Sequence, residues 1–242
     1  MNFGVEKIRV AKFDNSGKFF AIGVGRKLQI WKTPPKFMEF ASFRLLRTFT
    51  GHFDEITALD WSSCGNYVIT GSQDSTCRII SLTKPDFRQC TLTAHRDTIL
   101  GCYFSNTRNL VYTISANGGV YVWKWKPHDK NLSPEDLSAI EFSSTEGAWR
   151  IKHHHYLHQP NKVKATSCIL QKDNDLLVVS LSNGTFTLYK MPEFSEIHTL
   201  SITQYPIEAV AINPTGQWLA FASKQLGQLL VWEWQSETCY FI

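Results

Sequence analysis

No run of about 18 apolar residues occurs in the sequence, so nothing in it has the length and character of a membrane-spanning helix. No Cys-x-x-Cys pair occurs either. Cys64, Cys77, Cys90, Cys102, Cys168 and Cys239 are scattered at spacings that fit neither a zinc site nor the disulfide framework of a small secreted domain. Reduced thiols in a cytosolic or nuclear protein are the expectation. No apolar segment follows Met1, and no secretory signal is expected. Neither sign of charge dominates: 25 lysines and arginines against 21 acids leave a formal charge of +4. That balance permits an anionic partner without requiring one. The glycines at Gly23 and Gly25 lack the third glycine and following helix of a dinucleotide site. With 242 residues, 43% of them hydrophobic, the chain can bury a core without a metal or disulfide staple.

What is present is a repeat. Short apolar strands, most ending in an aromatic, close at Trp31, Ile80, Trp123, Tyr189 and Trp232, so successive separations are 49, 43, 66 and 43 residues. Upstream of each lies an apolar strand, a tight turn and a second apolar strand. The turns read "DNSG", "SSCG", "SNTR", "QKDND" and "NPTG". Alternating strands with polar turns every ~8–12 residues predict an all-β chain. Asn117-Gly118 and Asn183-Gly184 suit hairpin turns, because both residue types tolerate positive φ. Inner strands are expected to begin near Ile8, Ile56, Ile99, Ala165 and Ile207. Outermost strands are expected near 44–49, 88–92, 149–152, 196–200 and 238–242.

This period, with the openers Gly51-His52 and Ala94-His95, resembles the WD repeat, which implies a β-propeller blade of four strands per unit. About five blades are expected over residues 1–242, as a partial propeller or a five-blade ring. A closed ring and an open arc exposing two apolar blade faces both remain possible arrangements.

The interval from Trp123 to Tyr189 is about 23 residues longer than its neighbours. The excess, near residues 126–162, predicts a surface loop inserted in blade three between its third and fourth strands. Within it, "SPEDLSAIEF" is suited to a helical turn capped by Ser133.

His52, Ser72 and Asp74 have the residue types of a hydrolytic triad. The WD resemblance implies something else: these three hydrogen-bond within a blade, joined by the indole of a tryptophan where one is present. A buried network of this kind satisfies polar groups and orders the strands. Blade three keeps His95 and Trp123 but has Asn117 in place of the aspartate. Blades one and five keep Trp31 and Trp232 without a histidine opener, and blade four has Tyr189 at the tryptophan position. No catalytic residue, metal site, cofactor or small-molecule substrate is expected. "HHHYLH" (His153 to His158) lacks a Cys, Asp or Glu at ligand spacing and is expected to be solvated loop. Lys124, Trp125, Lys126, Arg150, Lys152 and Tyr156 interleave cations with aromatics, a composition that suits RNA phosphates and bases.

Four stretches carry a narrower resemblance: "TALDWSSCGNYVITGSQD", "AHRDTILGCYF", "MPEFSEIHTLSI" and, most diagnostic, "LGQLLVWEWQSE". They are similar to the N-terminal propeller of the periodic tryptophan protein 2 family. That resemblance implies a non-catalytic, nucleolar scaffold of the small-subunit processome. Its implied partners are other WD-repeat subunits, the U3 small nucleolar ribonucleoprotein and the 5′ external transcribed spacer of pre-rRNA. Its implied role is support of pre-rRNA processing and 18S rRNA maturation, with no membrane. A generic WD-repeat adaptor, such as a ubiquitin-ligase receptor or signalling scaffold, is the alternative. Under the family resemblance the closing "GQLLVWEWQSETCYFI" is a blade boundary, its third strand ending at Trp232.

Overall fold

Side-chain patterning along each strand shows which strands have two covered faces. Tyr67–Ser72, Leu110–Ser115 and Leu176–Leu181 are buried at every position. Strands covered on both sides lose the in-out alternation and read as continuous apolar runs. Ser195–Ser201, by contrast, is exposed at all but one position. Strands of the first kind are the centres of sheets, and the second kind are edges.

The computed structural model describes residues 7–35, 42–83, 89–106, 109–127, 147–157, 163–234 and 238–241. Among the described residues, twenty strands fall into five four-stranded antiparallel sheets, the blades expected of a WD-repeat β-propeller. Blade one is β1 (Ile8–Phe13), β2 (Phe19–Val24), β3 (Lys27–Lys32) and β4 (Arg44–Phe49). Blade two is β5 (Ile56–Trp61), β6 (Tyr67–Ser72), β7 (Thr76–Ser81) and β8 (Cys90–Thr93). Blade three is β9 (Ile99–Phe104), β10 (Leu110–Ser115), β11 (Gly119–Pro127) and β12 (Gly147–Tyr156). Blade four is β13 (Ala165–Gln171), β14 (Leu176–Leu181), β15 (Thr185–Lys190) and β16 (Ser195–Ser201). Blade five is β17 (Ala209–Ile212), β18 (Trp218–Ser223), β19 (Gln228–Glu233) and β20 (Thr238–Phe241). Each sheet is ordered by chain sequence, strand beside next strand.

Two compact units are formed. The first takes Met1–Thr113 with Tyr121–His154, and the second takes Ile114–Val120 with His155–Ile242. In the first, Leu28 and Ile30 of blade one pack with Ile56, Trp61, Val68 and Ile80 of blade two. Ile69, Cys77 and Ile79 of blade two pack with Ile99, Cys102 and Trp123 of blade three. In the second, Val178, Phe186 and Leu188 pack with Ile207, Phe221, Leu230 and Trp232. The same rule recurs: the residue that closes a third strand (Ile80, Trp123, Trp232) packs on the blade before it.

The turns are held by their first residues. Asp14 accepts hydrogen bonds from the Ser16 and Phe19 N–H groups, Ser62 from Tyr67 N–H and Asn213 from Trp218 N–H. These side chains imitate a backbone turn. "QKDND" has no glycine, and Asp175 takes the left-handed conformation there (φ 49°), where "NPTG" uses Gly216 (φ 77°).

Three expectations need correction. The insert in blade three is shorter than 126–162, because strands occupy both its flanks: β11 runs to Pro127 and β12 occupies Gly147–Tyr156. His153, His154 and His155 therefore lie on a strand and not in a loop. Their polar character reflects the exposure of an outer strand. The proposed helical turn at 133–142, and His158, lie outside the described residues. The inner strand of blade five begins at Ala209, two residues after Ile207, which is buried just ahead of it.

Candidate functional site

The opener of blade two places His52 beside the second and third strands. Its Nδ1 lies 2.9 Å from Asp74 Oδ2, and its Nε2 lies 2.8 Å from Thr70 Oγ1. A carboxylate only accepts, so Nδ1 carries the proton and donates, which leaves Nε2 to accept from the Thr70 hydroxyl. Asp74 also accepts from Phe53 N–H, Thr76 N–H and the Thr76 hydroxyl. Burial works to raise the Asp74 pKa, but the bonds from Thr76, Phe53 and His52 outweigh it and bring it down to about 2. Burial is the largest influence on His52 and lowers its pKa, against the opposing pull of Asp74.

Ser72 is not the hydroxyl of this network. Its Oγ donates to the Asp54 carbonyl and accepts from Asp74 N–H. Ser72 and Thr70 are two residues apart on one strand and share a face, but only Thr70 lies level with the imidazole. Hydroxyl, imidazole and carboxylate thus stand in line as in a nucleophilic triad. Thr70 is 0% exposed, however, and an attacking oxygen must reach a substrate. What the arrangement does is tie the opener to β6 and to the turn before β7. His52→Ala is expected to lower unfolding free energy by about 1–3 kcal/mol, since it takes the imidazole acceptor from the buried Thr70 hydroxyl and removes one of the donors to Asp74. Unchanged urea stability of that variant would contradict this role.

Blade three repeats the pattern without the acid. His95 Nε2 lies 2.8 Å from Thr113 Oγ1, which accepts the Trp123 indole N–H at 2.9 Å. Burial brings the His95 pKa down to about 4. Asn117, in place of the aspartate, accepts from the Ser115 hydroxyl and from Gly119 N–H. Trp31 donates to its strand neighbour Gln29 and stacks on Phe20. Trp232 is buried and meets Phe186 edge-on at 5.3 Å.

A second set of polar contacts joins successive blades. Lys12 Nζ of β1 donates to Asp60 Oδ1 of β5 at 2.7 Å, and Phe104 N–H of β9 donates to Asp60 Oδ2 at 2.9 Å. The Trp61 indole donates to the Lys12 carbonyl. Thr57 Oγ1 donates to the Ile99 carbonyl, and Thr166 Oγ1 donates to the Ile207 carbonyl. None of these contacts was expected from sequence. A signal existed for two of the missed hydroxyls: Thr70 and Thr113 each follow their histidine by 18 residues.

The six residues suited to RNA lie on β11 and β12. Lys124, Lys126, Arg150 and Lys152 are exposed, and Tyr156 is 62% exposed. Trp125 is 5% exposed and packs on Trp149 at 5.9 Å between ring centres, so it offers no face to a base. Strand alternation explains the difference: a tryptophan between two lysines points to the opposite side of the sheet. Among the described residues, no group of three His, Cys, Asp or Glu is gathered as metal ligands require.

A family model described as "WD domain, G-beta repeat" matches residues 43–81 and 87–124. Each match starts in or just ahead of an outer strand and ends on the third strand of the next blade. Periodic tryptophan protein 2 homolog of Schizosaccharomyces pombe is 40% identical over 230 residues, covering 94% of this chain and 27% of that protein. Periodic tryptophan protein 2 of Saccharomyces cerevisiae is 39% identical over 241 residues, with coverage of 96% and 26%. The Arabidopsis thaliana protein of that name is 29% identical over 287 residues, with coverage of 96% and 32%. The chain spans about a quarter to a third of the length of these relatives.

Proposed function

Because the chain belongs to the periodic tryptophan protein 2 family, we propose that it acts as a non-catalytic scaffold in assembly of the small ribosomal subunit. In this reading it is part of the small-subunit processome in the nucleolus. It joins other WD-repeat subunits, the U3 small nucleolar ribonucleoprotein and the 5′ external transcribed spacer, and it supports maturation of 18S rRNA. The carrying observation is similarity along 94–96% of the chain to two fungal members of the family. A scaffold also suits the polar chemistry of the fold. The imidazole, hydroxyl and carboxylate of blade two are spent on holding strands together, and Thr70 is sealed from solvent.

Affinity purification of the tagged protein from its own cells tests this. Recovery of U3 proteins and pre-rRNA is the expected result. Recovery of cullin-type or G-protein partners without them would favour the generic adaptor and overturn the processome reading.

A further inference from the structure

Blade five lacks the opener that fills one end of blade two. His52 precedes the buried Ile56 by four residues and the Thr70 hydroxyl by 18. His95 stands in the same way to Ile99 and Thr113. Counted back from the buried Ile207, the opener position of blade five is Thr203, and 18 residues beyond it is Phe221. The sheet register agrees, because Phe221 pairs with Leu230 as Thr70 pairs with Arg78. A hydroxyl and a phenyl ring thus replace the imidazole and the hydroxyl that it meets.

The exchange leaves a cavity. At blade two, the cleft lined by His52, Ile56, Thr70 and Arg78 measures about 10 Å³. At blade five, the cavity lined by Thr203, Ile207, Phe221, Leu226 and Leu230 measures about 30 Å³ and opens to solvent. Ser223, two residues beyond Phe221, also lines it. Ser223 is 6% exposed, and among the described residues its Oγ has no hydrogen-bond partner. Ser72, at the same place in blade two, donates to the Asp54 carbonyl and accepts from Asp74 N–H. A buried hydroxyl without a partner costs free energy, so a group that supplies one gains by entering. Gln228 lines the cavity as well and is exposed.

We propose that this cavity takes the imidazole of a histidine on a partner protein, inserted from outside at the place that His52 holds in blade two. One ring nitrogen meets the Ser223 hydroxyl, and the other faces the Gln228 amide. A neutral imidazole carries one donor and one acceptor, and a hydroxyl or an amide matches either. The ring carbons lie against Ile207 and Leu230. An aliphatic side chain would leave Ser223 unmatched. A carboxylate would lose its water with no cation lining the cavity to offset the loss. Because the cavity is open, the ring enters edge-first and the partner backbone stays outside, beside Leu226, which is 40% exposed. A single anchor side chain in a pocket, flanked by apolar contacts, is the usual form of a binding hot spot.

The test follows isoleucine and leucine methyl NMR shifts of the whole chain at pH 8, where an imidazole is neutral. The probes are free imidazole and two nine-residue glycine-serine peptides, one with Leu-His-Leu at its centre and one with Leu-Ala-Leu. Imidazole is expected to shift the Ile207 and Leu230 methyls. The histidine peptide is expected to bind at least tenfold more tightly than either imidazole or the alanine peptide. Thr203→His, which fills the cavity from within, is expected to weaken the histidine peptide at least tenfold. Ser223→Ala is expected to weaken the histidine peptide while leaving the alanine peptide unchanged. Absence of shifts at Ile207 and Leu230, equal binding of the two peptides, or undiminished binding to both variants would overturn the proposal. A histidine peptide no tighter than imidazole would assign the cavity to a small molecule and overturn the partner.

Discussion

Asp60→Ala is expected to destabilise the first compact unit by about 3–5 kcal/mol, the range for stripping one partner from a buried charged contact. The carboxylate is 0% exposed. One oxygen holds Lys12 of blade one and the other holds the Phe104 N–H of blade three, while Asp60 itself belongs to blade two. Removal therefore cuts contacts among three inner strands at once and leaves the buried Phe104 amide without its acceptor. Lys12 is different. Its side chain is 43% exposed and regains water when the carboxylate is lost, so it adds little to the cost of Asp60→Ala, whereas Lys12→Met leaves the buried carboxylate its Phe104 N–H and is expected to cost less than Asp60→Ala. Urea midpoints for Asp60→Ala, Lys12→Met and the double variant would separate these contributions. Asp60→Ala as mild as Lys12→Met would show that the Phe104 contact and the three-blade clamp contribute little. Asp60→Asn is expected to fall between, because its amide oxygen still accepts from Phe104.

The blades were legible in the sequence because their signal is local. Alternation, turn residues and the aromatic at the end of the third strand all lie within one unit, and they located five sheets and their order. The clamp at Asp60 was not legible because Lys12 and Phe104 lie 48 and 44 residues away. Nothing in a single unit shows which inner-strand residues of neighbouring blades stand level. Thr70 was missed for a narrower reason. Thr70 and Ser72 are both hydroxyls on the same side of β6, so residue type and strand face do not separate them. The shared spacing of 18 residues from His52 to Thr70 and from His95 to Thr113 does. Trp125 was misjudged through composition: interleaved lysines and tryptophans resemble a mixed surface patch, but on a strand they are two faces, one buried and one wet. The same error hid the second half of β12: a strand was expected near 149–152, but the exposed residues after it made 153–156 look like loop.

Stability is expected to fall by about 2–3 kcal/mol as pH drops from about 6.5 to about 4.5, through the histidines that open blades two and three. Burial brings His95 down to about 4 from its ordinary value of 6.5. Its ring stands edge-on to Tyr121 at 4.6 Å, and its Nε2 meets the same hydroxyl that accepts the Trp123 indole N–H. With Trp123 donating to Thr113, the hydroxyl proton is free to point at an unprotonated Nε2, and a protonated ring would disrupt that arrangement. Because the folded pKa lies below the unfolded one, the unfolded chain binds the proton first. The contribution of His95 is whole above about 6.5 and is lost as pH falls toward 4. His52, also lowered by burial, acts in the same direction. Asp74 is held to about 2, so it stays charged in the folded chain throughout this window, and its own contribution disappears only at more acid pH. His95→Gln keeps a side chain able to hydrogen-bond Thr113 but removes the titration. Urea stabilities of parent and His95→Gln at pH 7 and 4.5 test the assignment. The variant is expected to lose markedly less stability between the two values, and parallel losses in both proteins would place the acid sensitivity elsewhere.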